Sequence, residues 1–148
     1  TCATGSVAGS ATTAARAAEL AVFRLFELGY DPAAIRTVSG SAPVAPVTYD
    51  ETAAMGRTND ALAYGGEVYL LVDDDEPTVF ENVPSTAATE YGTPFAEIFA
   101  DADYDFYDVD ESVFAPAQIT VDVVDGPTYV HGETHEELLA ESFGLPEV

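Results

Sequence analysis

Arg16 and Glu19 stand three residues apart near the head of the run AARAAELAVFRLFELGYD, residues 14 to 31. Side chains at i and i+3 on a helix are neighbours, so this spacing brings a guanidinium against a carboxylate. A carboxylate held in place can accept a proton from water. An arginine beside it can orient it and stabilise negative charge developing on an oxygen. The same spacing also describes an ordinary helix ion pair worth a few tenths of a kcal/mol. Two features set this pair apart. Arginine at a helix N-terminus opposes the helix dipole. The pair also shares a stripe with Phe23 and Phe26, which the pattern predicts to be buried, and charged groups beside apolar surface are where pKa values shift.

Other candidates are weaker. DADYDFYDVDES (101–112) is acidic enough to suggest calcium, but an EF-hand loop requires Gly at its sixth position and Glu at its twelfth. Those positions hold Phe106 and Ser112. His131 and His135 have the spacing of two metal ligands, yet Gly132 interrupts a helix there and no third ligand stands out. Both are read as structural or surface histidines, and no metal site is predicted. No phosphate-binding loop, dinucleotide fingerprint or nucleophile elbow occurs.

The elements that must position these residues follow from pattern. A helix is predicted from residue 14 to about Leu28, capped by Thr12 or Thr13 and stopped by Gly29 with Pro32 just beyond. Residues 1–12 are small and polar, and read as a loop or short strand. Apolar residues on two faces predict a helix buried on two sides. IRTVSG (35–40) reads as a strand and SAPVAPV (41–47) as a rigid extended segment. DETAAM and TNDALAYGG read as short helices ending at Gly65–Gly66. EVYLLV (67–72) is the clearest strand. DDDEP (73–77) is a solvated turn. Residues 88–117 mix short helices with acidic, aromatic loops. QITVDVV (118–124) and TYVHG are strands joined through Asp125–Gly126, a hairpin signal. ETHEELLAESFG (133–144) closes as an amphipathic helix. The fold class is α/β with α+β character, a mixed sheet with packed helices in a single domain spanning 1–148.

Composition bounds the function. The chain has 27 acidic residues against four arginines and no lysine, for a net charge of −23. Binding to nucleic-acid phosphates by charge is disfavoured. The acids are scattered rather than gathered in a tail, and 47% of residues are apolar, with eight Phe and eight Tyr. An acidic surface over an ordinary core suggests a protein of a salt-loaded cytoplasm, because salt screens such repulsion. Cys2 is the only cysteine, so no internal disulfide is expected. No apolar run is long enough for a membrane span, and no signal peptide is evident. A cytoplasmic location is expected. The opening TCATGSVAGSATT has no initiator Met and reads as the interior of a longer protein.

The strings SAPVAPV, AMGRTNDALAYGGEVYLLV, VPSTAATEYGTPFAEIFADADYDFYDVDESVFAPA and ETHEELLAESFG occur in this order. In that order and at that spacing, the chain resembles the C-terminal half of the methenyltetrahydromethanopterin cyclohydrolases, archaeal enzymes of one-carbon metabolism. The resemblance covers nearly the whole chain. It implies one half of a two-domain cyclohydrolase whose N-terminal half is absent here, with a substrate pocket between the halves. It implies hydrolysis of a methenyl-pterin to its formyl derivative, on either a methanopterin or a folate carrier. It implies no cofactor beyond the pterin substrate, and assembly as a homo-oligomer, often a trimer. The family's R-x-x-E matches RAAE here, which implies catalytic roles for Arg16 and Glu19. Asn59 and Asp60 would read the pterin's donor and acceptor edge, or else cap a helix at TND. Tyr91 and Phe95 would stack on the pterin or pack in the core. A competing likeness links residues 16–40 to envelope-anchoring domains of the outer-membrane protein A type, which bind peptidoglycan. Charge alone would also suit a structural module of a halophilic assembly.

Overall fold

The computed structural model describes residues 1–146. Its spine is a four-stranded sheet in which spatial order follows chain order: β1 (Ile35–Ser41), β2 (Glu67–Val72), β3 (Gln118–Val123) and β4 (Thr128–Gly132). β1 and β2 are antiparallel, as are β3 and β4, while β2 and β3 are parallel. A parallel pair needs a crossover rather than a tight turn. Residues 73–117 supply it, holding α4 (Pro77–Phe80), α5 (Phe95–Asp101) and several 3-10 turns. The sheet is mixed and helix-packed, as the sequence pattern predicts.

Alternation along the strands divides the sheet into two unlike faces. Val68, Leu70 and Val72 of β2 join Ile119, Val121 and Val123 of β3 on a buried face. They meet Leu20 and Leu25 of α2 (Ala17–Glu27), Leu62 of α3 (Glu51–Gly65) and Phe80 of α4. The other face carries Ser39, Tyr69 and Thr120 in register. It is open, and Tyr69 and Val130 are exposed on it.

The N-terminal region differs from expectation. Residues predicted as loop or strand form α1 (Val7–Ala14), and the long helix predicted from residue 14 begins only at Ala17. Thr12 and Thr13, expected to cap the helix, lie inside α1, which Ser6 caps with its Oγ accepting from the Gly9 N–H at 3.0 Å, and no side chain caps α2. Gly9, Ser10 and Ala14 are buried, Gly9 against the backbone of Ala3 and Thr4, and α1 packs on α3. Small side chains, which read as loop, are what allow close helix–helix approach. α2 buries one face, not two: Ala17, Leu20, Ala21, Arg24 and Leu25 point inward. Phe23 and Phe26 are 53% and 64% exposed, contrary to the burial expected of them.

The two short helices predicted over residues 50–66 are one, α3. Asp50 caps it, with Oδ1 accepting from the Ala53 N–H at 3.0 Å. The chain closes on α6 (Glu136–Phe143), which Gly144 terminates in the left-handed region at φ 67°. No helix among the described residues is long and apolar enough to cross a membrane.

Candidate active site

The start of α2 places Arg16 and Glu19 together. Arg16 stands at the break between α1 and α2, in the position preceding Ala17, and no side chain caps this helix. Glu19 lies in the first turn, where the helix dipole favours negative charge. The guanidinium is bidentate on the carboxylate: Nε donates to Oε2 at 3.2 Å and Nη2 donates to Oε1 at 3.1 Å. The two side chains are 51% and 47% exposed. The Arg16 hydrogen bonds hold the Glu19 carboxyl below its usual range, with slight desolvation working the other way. The pair is therefore an ionised carboxylate clamped by a guanidinium and open to approach from solvent. Phe23 and Phe26 continue the same stripe outward.

Gly40 of β1 lies directly beneath this turn. A Cβ placed there would sit 3.0 Å from the Ala18 nitrogen and 3.3 Å from the Ala17 Cβ. Sequence reasoning did not single out Gly40, although a glycine within a strand signals close backbone approach.

Arg16 and Glu19 line neither of two concavities found among the described residues, one of which borders Gly40. A shallow groove of about 410 Å³ runs along β1–β3, lined by Ser39, Gly40, Ser41, Glu67, Val68, Tyr69, Gln118 and Thr120. The second is a cavity of about 10 Å³ under α3, beside Asn59, Asp60, Tyr64, Glu90, Tyr91 and Phe95. Its size suits about one water molecule.

Asn59 and Asp60 line a different concavity from the pair; neither caps α3, in which both lie, but Asp60 accepts from the first N–H of α5. Asn59 Nδ2 donates to the Met55 carbonyl at 2.9 Å, within α3. Asp60 is 1% exposed. Its Oδ1 accepts from the Phe95 N–H at 2.9 Å, and its Oδ2 accepts from the Ser142 hydroxyl at 2.6 Å. Burial pushes its carboxyl up to about 6, against the lowering effect of those two bonds. This geometry ties α3 to α5 and α6 and engages both oxygens. Phe95 is likewise core, packed on Phe99 and Phe106. Tyr91 is half-buried against Tyr64.

His135 accepts from the Leu138 N–H at 3.2 Å through Nδ1 and so caps α6. Among the described residues no group of three or more His, Cys, Asp or Glu is arranged to hold a metal ion.

The sequence profile of the family described as Cyclohydrolase (MCH) matches residues 1–143. The methenyltetrahydromethanopterin cyclohydrolase of Halobacterium salinarum is 58% identical over 142 residues, which make up 96% of this chain and 45% of the relative. Its counterpart in Methanothermobacter thermautotrophicus is 40% identical over 148 residues, covering 96% and 46%. That of Methanocella arvoryzae is 42% identical over 144 residues, covering 96% and 45%. The chain therefore spans slightly less than half the length of these curated relatives. The likeness to envelope-anchoring domains stops at residue 40, whereas the profile runs on to 143, so the envelope reading is set aside.

Proposed function

Because this chain belongs to the cyclohydrolase (MCH) family, we propose that the protein carrying it hydrolyses the methenyl bridge of N5,N10-methenyltetrahydromethanopterin. The relatives' names favour the methanopterin carrier over folate. The observation that carries the reading is the bidentate Arg16–Glu19 pair, ionised and solvent-facing at the start of α2.

The reaction suits such a pair. The substrate's bridging carbon lies between two nitrogens that share a positive charge. A carboxylate near that carbon stabilises the cation and accepts a proton as water's oxygen bonds to the carbon. The tetrahedral adduct then loses its hydroxyl proton as the C–O bond becomes a carbonyl and one C–N bond breaks. The departing nitrogen takes up a proton. The sum is one water consumed, one formyl group formed and one proton released. Glu19 is the proton acceptor in this scheme. Arg16 orients it and stabilises negative charge developing on the added oxygen. The wall facing the pair is assigned to the part of the family's length that this chain does not span.

The test follows loss of methenyl-pterin absorbance, offered on both carriers, in a protein of full family length carrying this segment. Glu19→Gln should lower kcat by about 10²- to 10⁴-fold, the range general base catalysis contributes, with an unchanged circular dichroism spectrum and melting curve. Near-parental turnover in that variant would reject the role.

A further inference from the structure

We propose that Gly40 is a positioning residue for the Arg16–Glu19 pair: its missing side chain lets the first turn of α2 seat on β1, and that seat fixes where the pair stands. The proposal rests on the catalytic reading of the pair given above.

A glycine inside a strand weakens it, so its presence needs a reason. Backbone conformation does not supply one. Gly29, Gly92, Gly132 and Gly144 all lie at positive φ, but Gly40 does not. Space supplies the reason. A Cβ at Gly40 would lie 3.0 Å from the Ala18 nitrogen, 3.2 Å from Val68 Cγ2 and 3.3 Å from the Ala17 Cβ. None of these neighbours is the loose end of a long side chain. Ala18 offers backbone, the Ala17 methyl is fixed to backbone, and Val68 is buried with a stiff χ1.

Ala17 and Ala18 are the two residues between Arg16 and Glu19. The seat therefore lies under the segment that carries both charged groups. No side chain caps this helix start, so its place is set by packing of the buried Ala17 and Leu20 on the sheet and by the Arg16 N–H donating to the Thr13 carbonyl at 3.0 Å. A methyl at position 40 must lift the first turn of α2 by a few tenths of an ångström and carry the pair with it. The bidentate geometry travels intact, since both residues belong to the same turn. What changes is the distance from the carboxylate to the reacting carbon.

A misplacement of about 1 Å lowers rates about 10²-fold, so a shift of a few tenths should lower kcat about three- to tenfold. In the full-length protein, Gly40→Ala should show that fall with KM within about twofold of the parent, as expected when binding is spared. The Glu19 titration, followed by carbon-13 NMR of its carboxyl, should be unchanged. Ala17→Gly alone should lose a little kcat by leaving a gap. The double variant Gly40→Ala/Ala17→Gly should recover part of the activity, because it relieves the 3.3 Å contact with the Ala17 methyl and leaves those with the Ala18 nitrogen and Val68 in place, and a non-additive cycle marks direct contact. Parental kcat in Gly40→Ala overturns the proposal. A loss that Ala17→Gly does not relieve, and that follows melting temperature, overturns it too. If Gly40→Ala does not fold, the double variant decides by itself: a folded, active double variant supports the seat, and one that also fails to fold overturns it. An active Glu19→Gln removes the catalytic reading itself. An inactive Glu19→Gln beside a fully active Gly40→Ala removes only the role of Gly40.

Discussion

A carboxylate used as a base must be ionised, and Arg16 secures that for Glu19. The two hydrogen bonds favour the charged form, so the Glu19 carboxyl is held below its usual range. The acidic limb of kcat/KM is then expected to fall below pH 4.5, the unperturbed value for this group. Arg16→Ala removes the support, so the limb should rise toward the ordinary glutamate range while the plateau rate drops. A pH–rate profile checks this, and a limb left unmoved would mean that Arg16 does not set the base's charge. As the pair is half exposed, its contribution to folding stability is small. The pairing of Arg16 with Glu19 was legible because i,i+3 geometry follows from the helix alone. The exposure of Phe23 and Phe26 was not. Apolar residues occupy both sides of α2, and only the position of the sheet decides which side is core.

Asp60 acts between elements. From α3 it receives the Phe95 N–H at the head of α5 and the Ser142 hydroxyl of α6. Arg57, one turn earlier on α3, donates to the Ser142 carbonyl at 3.2 Å. Ser142 is thus gripped from both its side chain and its backbone. Burying the carboxylate raises its folded pKa to about 6 from 3.8. A raised acid pKa means the folded state holds the proton more tightly than the unfolded chain. Asp60 is therefore least costly to stability below about pH 4, and the fold loses stability as pH rises through about 6, by on the order of 2–3 kcal/mol at one pKa unit per 1.36 kcal/mol. Asp60→Asn keeps an acceptor for Phe95, and its amide can donate to the Ser142 hydroxyl. Denaturant midpoints for this variant should be flatter between pH 4 and 7 than the parent's. Parallel profiles would show that Asp60 does not titrate in this window. No sequence signal separated an inward Asp60 from a pterin-reading one, because TND is equally polar in either setting. The strands were more legible: EVYLLV matches β2 and TYVHG matches β4 residue for residue, since β-branched and aromatic runs bounded by turns define both ends. α1 was missed because its small residues gain order from contact with α3, not from local propensity.

At the scale of the whole molecule, charge dominates. The net charge is −23, and among the described residues three carboxylates sit in ion pairs with Arg16, Arg24 and Arg36. The remaining acids repel one another across the surface, which disfavours the compact state. Raising salt from about 0.1 M to about 1 M shortens the screening length from about 10 Å to about 3 Å. The melting temperature should climb steeply over that interval in potassium chloride and flatten beyond it. A melting temperature indifferent to salt would show that the repulsion has little hold on this fold.

Each of the four arginines is tied down: Arg16 and Arg36 to carboxylates, Arg24 to Glu27 and the Asn82 carbonyl, and Arg57 to the Ser142 carbonyl. With no lysine in the chain, trypsin has only these four places to cut. Arg24 and Arg57 lie inside helices, and Arg36, at the register shift of β1, is held by Asp73, whereas Arg16 occupies the break between α1 and α2. Digestion should therefore open with a nick between Arg16 and Ala17, which leaves the guanidinium on one fragment and the carboxylate of Glu19 on the other.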